Sequence, residues 1–370
     1  MSPGRRTPTR RWRSASSLTG ERPNRKLPGE SAYCDEGTDI RMPLTDLPLE
    51  ELRAYRPEVA EPEDFDAFWS KTLTAARSAT FGPAEYRRIE DAPLHTVEVY
   101  DARFPGWDGQ PVAAWLILPR GARRPLPAVV NYIGYSGGRG LYIEHLLWSA
   151  AGYATLVVDS RGQGHDTPDP DPATTPQYVG GFMTRGLDDP AHHYYRRLMT
   201  DCVRAVDAVR EHPAVDPERV VVAGGSQGGG LALAVAGLVP EKVAAALVDV
   251  PFLCHFRRGA ELASVGPYPE IAHYLGVHKR VDPDAVFATL NYFDGLHFAR
   301  RATAPALFSV ALMDPVCPPS TVFAAYHRYA GEGKDIRVWH FGDHAGGRSS
   351  QQHEQLLWLR ERGLAPETAG

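Results

Sequence analysis

At 370 residues, 43% of them hydrophobic and 23% charged, the chain can bury one large α/β domain with excursions, or two smaller domains. Its net charge of −5 gives no reason to expect a nucleic-acid partner, and no run approaches the ~18 apolar residues of a membrane span. Four widely spaced cysteines (Cys34, Cys202, Cys254, Cys317) without CxxC pairs suggest reduced cytoplasmic thiols rather than a disulfide frame or a zinc site.

Residues 1–41 carry nine basic against five acidic side chains and show neither helical nor strand periodicity, so they read as a disordered extension. Arg5-Arg6 and Arg10-Arg11 are followed by no hydrophobic run, which argues against an export signal. Residues 42–370 are expected to form the folded domain. Helical spacing covers Leu47 to Tyr55 and Pro62 to Ala76, with Pro62 placed in a first turn. Residues 95–119 alternate as two strands around Pro105-Gly106-Trp107-Asp108-Gly109.

Strands and helices then alternate. Pro127 to Tyr135 predicts a strand, Leu141 to Ala151 a helix, and Ala154 to Asp159 a central parallel strand. Tyr194 to Arg210 is an amphipathic helix. Later strands fall at Ala244 to Val250, Ala306 to Met313 and Ile336 to Phe341, with helices at Thr321 to Ala330 and Gln351 to Arg362. This alternation predicts a doubly wound, mostly parallel sheet with helices on both faces, the α/β-hydrolase arrangement, interrupted by a mostly helical cap at about 252–304.

Val220-Val221-Val222-Ala223-Gly224-Gly225-Ser226-Gln227-Gly228 joins a β-branched strand to an Ala/Leu-rich helix through Gly-x-Ser-x-Gly. A serine on so sharp a turn needs small neighbours two positions either way, which Gly224 and Gly228 supply, leaving its Oγ exposed above the sheet. The alternative for such a string is a plain tight turn. A nucleophilic Ser226 needs a base and an acid in the chain order Ser, acid, His. Asp314 follows one strand before the loop that holds His344 and is preferred to its rival Asp249, for which a buried structural hydrogen bond is the plainer reading. His353, next to Glu354, competes with His344 but falls inside the closing helix. Other histidines, among them His192, His193, His255, His273 and His340, form no metal-like spacing. For the oxyanion hole the amide after the nucleophile, Gln227, is one donor; Tyr135 in Ile133-Gly134-Tyr135-Ser136-Gly137-Gly138 is the second, or part of a structural turn.

Arg161-Gly162-Gln163-Gly164, the serine motif and the late histidine loop together resemble carbohydrate esterase family seven, the acetyl xylan esterases and cephalosporin-C deacetylases. Gly181-Phe182-Met183-Thr184-Arg185-Gly186, Val250-Pro251-Phe252-Leu253-Cys254-His255 and Cys317-Pro318-Pro319-Ser320-Thr321 extend the resemblance, which runs from about Asp46 to the C-terminus. It implies Ser226, Asp314 and His344 as triad, Tyr135 and Gln227 as oxyanion donors, and a hexamer with active sites facing an internal cavity. The family pattern has Glu after the histidine; this chain has Ala345. Arg161 is expected to be a structural anchor that fixes a strand end near the nucleophile.

The sequence therefore points to a serine esterase without metal or cofactor, acting on small acetylated substrates such as xylo-oligosaccharides or cephalosporin C. A broader short-chain carboxylesterase or a peptidase on the same fold is the enzymatic alternative. An inactive hydrolase-like binding protein is the alternative from another class. Ala345 favours it, and the intact set of Ser226, Asp314 and His344 opposes it.

Overall fold

The computed structural model describes residues 44, 46–79, 82–164, 166–169 and 180–367. The segment 1–41, with Cys34, lies outside them, as does the end of the Pro/Asp-rich turn 167–172. Two helices, α1 (Leu49–Ala54) and α2 (Phe65–Ser78), precede the sheet. Pro62 lies ahead of α2 rather than in its first turn. Its carbonyl accepts a turn bond from the Phe65 N–H at 3.1 Å, and the first helical carbonyl is that of Asp64.

Four strands follow: β1 (Glu85–Arg88), β2 (Val97–Pro105), β3 (Pro111–Pro119) and β4 (Leu126–Tyr132). Then come α3 (Leu146–Ala150), β5 (Ala154–Val158), α4 (Tyr194–Arg210), β6 (Val215–Gly225), α5 (Gln227–Leu238) and β7 (Ala245–Asp249). The insertion holds α6 (Phe256–Leu262), α7 (Tyr268–Val277), α8 (Pro283–Leu290) and α9 (Gly295–Ala299). The chain closes with β8 (Ala306–Ala311), α10 (Pro319–Arg328), β9 (Lys334–Trp339) and α11 (Arg348–Glu361).

The strands form one nine-stranded sheet in the order β1-β2-β3-β5-β4-β6-β7-β8-β9. The pairs from β1 to β5 are antiparallel, and those from β5 to β9 are parallel. β5 therefore stands where the two halves meet, antiparallel to β3 and parallel to β4, and is not flanked by parallel strands on both sides. Either way it is covered on both faces, so its five residues are all apolar or Thr and all buried. β4 ends at Tyr132, three residues short of the expected Tyr135, because Gly134 and Gly137 close a turn there (N–H to O, 3.1 Å).

Alternating side chains divide the core between the two faces. Val130, Val222 and Val248 pack under α4 and α5, while Val129, Val221, Leu247 and Leu307 pack with Trp148 of α3 and Trp358 of α11. After Gln227, α5 is apolar all round and buried at every residue but Leu238, as a helix inside a layer must be. In the 252–304 insertion, α9 is buried throughout and belongs to the helical layer rather than to a cap, which leaves α6 to α8 as the outer part. Among the described residues no helix is long and apolar enough to cross a membrane.

Candidate active site

β6 delivers its chain to Ser226 and α5 takes it away at once. Ser226 has φ 56° and ψ −120°, a conformation L-residues rarely adopt. The two glycines permit it. A Cβ on Gly224 would stand 2.4 Å from the Gly228 backbone, and one on Gly228 would stand 2.2 Å from the Tyr132 carbonyl oxygen. The turn is pinned by the Ser226 N–H donating to the Asp249 carbonyl (3.0 Å) and by the Phe252 N–H donating to the Ser226 carbonyl (2.9 Å).

The loop after β9 carries His344 to this turn. Its Nε2 lies 2.9 Å from Ser226 Oγ, and its Nδ1 lies 2.8 Å from Asp314 Oδ2. Asp314 follows β8 and is 1% exposed; its other oxygen accepts the Val316 and Cys317 amides at 2.8 and 2.9 Å. With Nδ1–H donated to that carboxylate, Nε2 is left with the lone pair that a serine proton needs. The structure thus brings together three of the predicted residues, Ser226, Asp314 and His344, from three strand ends.

Neither rival joins them. His353 is exposed on α11, and its neighbour Glu354 accepts from Arg337 (3.0 Å). Asp249 accepts from Ser309 Oγ (3.0 Å), Gln351 (2.8 Å) and Gln355 (2.6 Å) instead of from a histidine. Burial pushes its carboxyl up to about 6 against the pull of those three donors.

Gln227 opens α5, so its N–H is one of the amides that no helical carbonyl can reach. Neither this amide nor that of Tyr135 has a partner among the described residues. Both side chains are tied away from the serine. Gln227 Oε1 accepts from Tyr195 and Gln163, and Tyr135 donates its hydroxyl to Glu270 (2.8 Å) while accepting the Phe182 amide (3.0 Å). Burial and the Glu270 carboxylate hold the Tyr135 phenol well above its usual range. Arg161 is fully buried and forks onto Asp201 at 2.7 and 3.0 Å, joining the end of β5 to α4.

Three participants escaped the sequence. Glu270 reaches Tyr135 from α7 across 135 positions, Gln163 accepts the Ser136 amide (2.7 Å), and Cys317 holds Asp314 through its backbone. Gln163 and Cys317 left a trace, in the Arg-Gly-Gln-Gly and Cys-Pro-Pro-Ser-Thr strings; Glu270 is a long-range contact with no local pattern. Asp314, Cys317 and His344 present ligand-type atoms within 4.8 Å of one another. The Asp314–His344 hydrogen bond already uses two of these atoms, and burial pushes the thiol well above its usual range, so the cluster is a poor fit for a metal.

A strained serine between a parallel strand and a buried helix, with histidine and acid delivered by the next strand ends, defines an α/β-hydrolase. The family model described as acetyl xylan esterase matches residues 42–362. The chain belongs to the acetyl xylan esterase family and is a carboxylic ester hydrolase. It is 28% identical over 312 residues to acetyl esterase Axe7A of Xylanibacter ruminicola, spanning 83% of this chain and 69% of that protein. The solved acetyl xylan esterase of Paenibacillus sp. R4 matches at TM-score 0.78 and 41% identity, covering 85% of this chain and 99% of the other. Acetyl xylan esterase 1 of Thermoanaerobacterium sp. JW/SL YS485 matches at the same TM-score and coverage with 34% identity.

Proposed function

We propose that this protein removes acetyl groups from small or oligomeric carbohydrate acetates by an acyl-enzyme route, with Ser226 as nucleophile. The observation that carries this reading is the pair of short contacts through His344, 2.9 Å to Ser226 Oγ and 2.8 Å to Asp314. Ser226 Oγ attacks the acetyl carbonyl and its proton passes to His344 Nε2. Asp314 keeps the imidazole in the required tautomer and stabilises the imidazolium. The oxyanion is received by the free amides of Gln227 and Tyr135, and the dipole of α5 points its positive end at the same place. His344 then gives its proton to the departing alkoxide, so the ester C–O bond breaks as the acyl-enzyme bond forms. Water repeats the cycle with His344 as base, releasing acetate and restoring Ser226.

Acetylated xylo-oligosaccharides are the first substrates to try, because the relatives at 41% and 34% identity are named for acetyl xylan; cephalosporin C has the same acetyl ester chemistry. A cytoplasmic homohexamer is part of the same proposal. Ser226→Ala should fold as wild type, since it removes one half-buried hydroxyl whose partner is His344, yet lose several orders of magnitude in 4-nitrophenyl acetate turnover. Near-native turnover by that variant would remove Ser226 from the mechanism.

A further inference from the structure

The face of the sheet that packs on α3 and α11 changes character at its carboxyl end. Deeper in, β4, β6, β7 and β8 present Val129, Ala223, Leu247 and Leu307 to the core. Two residues further along the same strands, on the same face, stand Asn131, Gly225, Asp249 and Ser309. The apolar face becomes a polar one: Gly225, Asp249 and Ser309 stand in one row, and Asn131 lies two residues deeper, in register with Ala223. α11 lays Gln351 and Gln355 over this row, both 3% exposed, and α3 contributes Trp148. The result is a cleft of about 400 Å³ whose lining includes Ser226 and His344. That volume lies within the range of small-molecule sites, roughly 300–1,000 Å³.

Two of the polar groups in this cleft are unused. Asn131 is half-buried, and neither its amide nor the Trp148 indole N–H has a hydrogen-bond partner among the described residues. Asp249, by contrast, is pre-set: Ser309 and Gln351 donate to its Oδ1 and Gln355 to its Oδ2, which fixes the carboxylate and leaves Oδ2 room for one further donor. A ring bearing hydroxyls matches such a lining, because each hydroxyl both donates and accepts and the indole offers an apolar face beside the amides. A plain aromatic alcohol brings no hydroxyl besides its reacting oxygen, so it leaves the amide and carboxylate of the floor unused.

Direction decides which half of an ester belongs here. The carbonyl oxygen must turn to its amide donors, while the departing oxygen must reach the imidazole that protonates it. The cleft is lined by His344 and by Ala345, Gly346 and Gly347 of its loop, and by neither Tyr135 nor Gln227. Its chemistry is therefore on the leaving-group side. Ala345 adds only a methyl to the lining.

We infer that the cleft between the carboxyl ends of β4, β6, β7 and β8 and the helices α3 and α11 is the subsite for a polyhydroxylated leaving alcohol, a sugar ring, with Asn131 and Asp249 as its hydrogen-bonding floor. This rests on the esterase reading of Ser226 and His344 and names the half of the substrate that the triad leaves unspecified.

The test compares kcat/KM for a mono-O-acetylated methyl xyloside, whose other ring hydroxyls stay free, with that for 4-nitrophenyl acetate, in wild type, Asn131→Leu and Ala345→Phe. Leucine is close in volume to asparagine and forfeits no bond within the protein. Ala345 is exposed, so a phenyl ring there narrows the cleft without loading the core. The ratio of sugar ester to aryl ester should fall about three- to tenfold in Asn131→Leu, as for one lost hydrogen bond, mainly through KM. It should fall in Ala345→Phe as well. An unchanged ratio in both variants, or equal losses on both esters, overturns the subsite while leaving the esterase reading intact. Wild-type protein that hydrolyses neither ester overturns both.

Discussion

At Ser226 the strained backbone, φ 56°, is held by neighbours that have no side chains to move. That rigidity aims Oγ at His344 without asking the helix to bend. Asp249 sits one register position away, opposite Gly225, and carries the opposite kind of tension. Burial raises its carboxyl to about 6 from 3.8, more than its three donors lower it. A carboxyl raised in the folded state stabilises the fold most below its unfolded value, and that contribution is lost as pH rises through 6. Asp249→Asn cannot ionise. Its stability relative to wild type should improve between pH 4.5 and 7.5, by at most about 3 kcal/mol. Melting curves at both values check this; a difference independent of pH would mean the carboxyl is not strained. The sequence separated Asp314 from Asp249, and His344 from His353, by strand order alone. It could not show why Asp249 is there, because Gln351 and Gln355 lie more than a hundred positions away.

Among the elements, the helix with the strongest period was legible to the residue, and α2, α10 and α11 were displaced by two or three residues at one end or both. α4 runs from Tyr194 to Arg210 as its amphipathic spacing predicts. β1 was missed, because its four residues are mostly exposed and pair only at the edge of the sheet. Elements are also joined by buried charge. The Arg161 fork binds the end of β5 to Asp201 of α4, and Asp201 accepts the Trp107 amide at 2.7 Å, so three segments meet at one carboxylate. Arg161→Leu leaves Asp201 buried and half-partnered. The expected cost is roughly 3–5 kcal/mol in urea unfolding. A loss below about 1 kcal/mol would mean that water replaces the guanidinium, and that the loop bearing Gln163 is held by other contacts.

For the whole molecule, the parallel half of the sheet and the chain order in which Ser226, Asp314 and His344 arrive followed from β–α alternation, whereas the strand order and the polar cleft under α11 did not. The cleft arises from four strands separated by up to 178 positions, a juxtaposition that no local pattern encodes. The match to the acetyl xylan esterase family begins at residue 42, and residues 42–370 form one compact unit. A chain started at Met42 should keep its acetate turnover and melting temperature, and a clear drop in either would assign the preceding basic segment a structural role. Covalent labelling tests most directly whether one serine carries the acetyl group. Treating the protein with a diethyl aryl phosphate and mapping the adduct by peptide mass spectrometry should find one phosphoryl group on Ser226, with acetate turnover lost in step. A label on another residue, or full turnover by protein labelled at Ser226, would contradict the account.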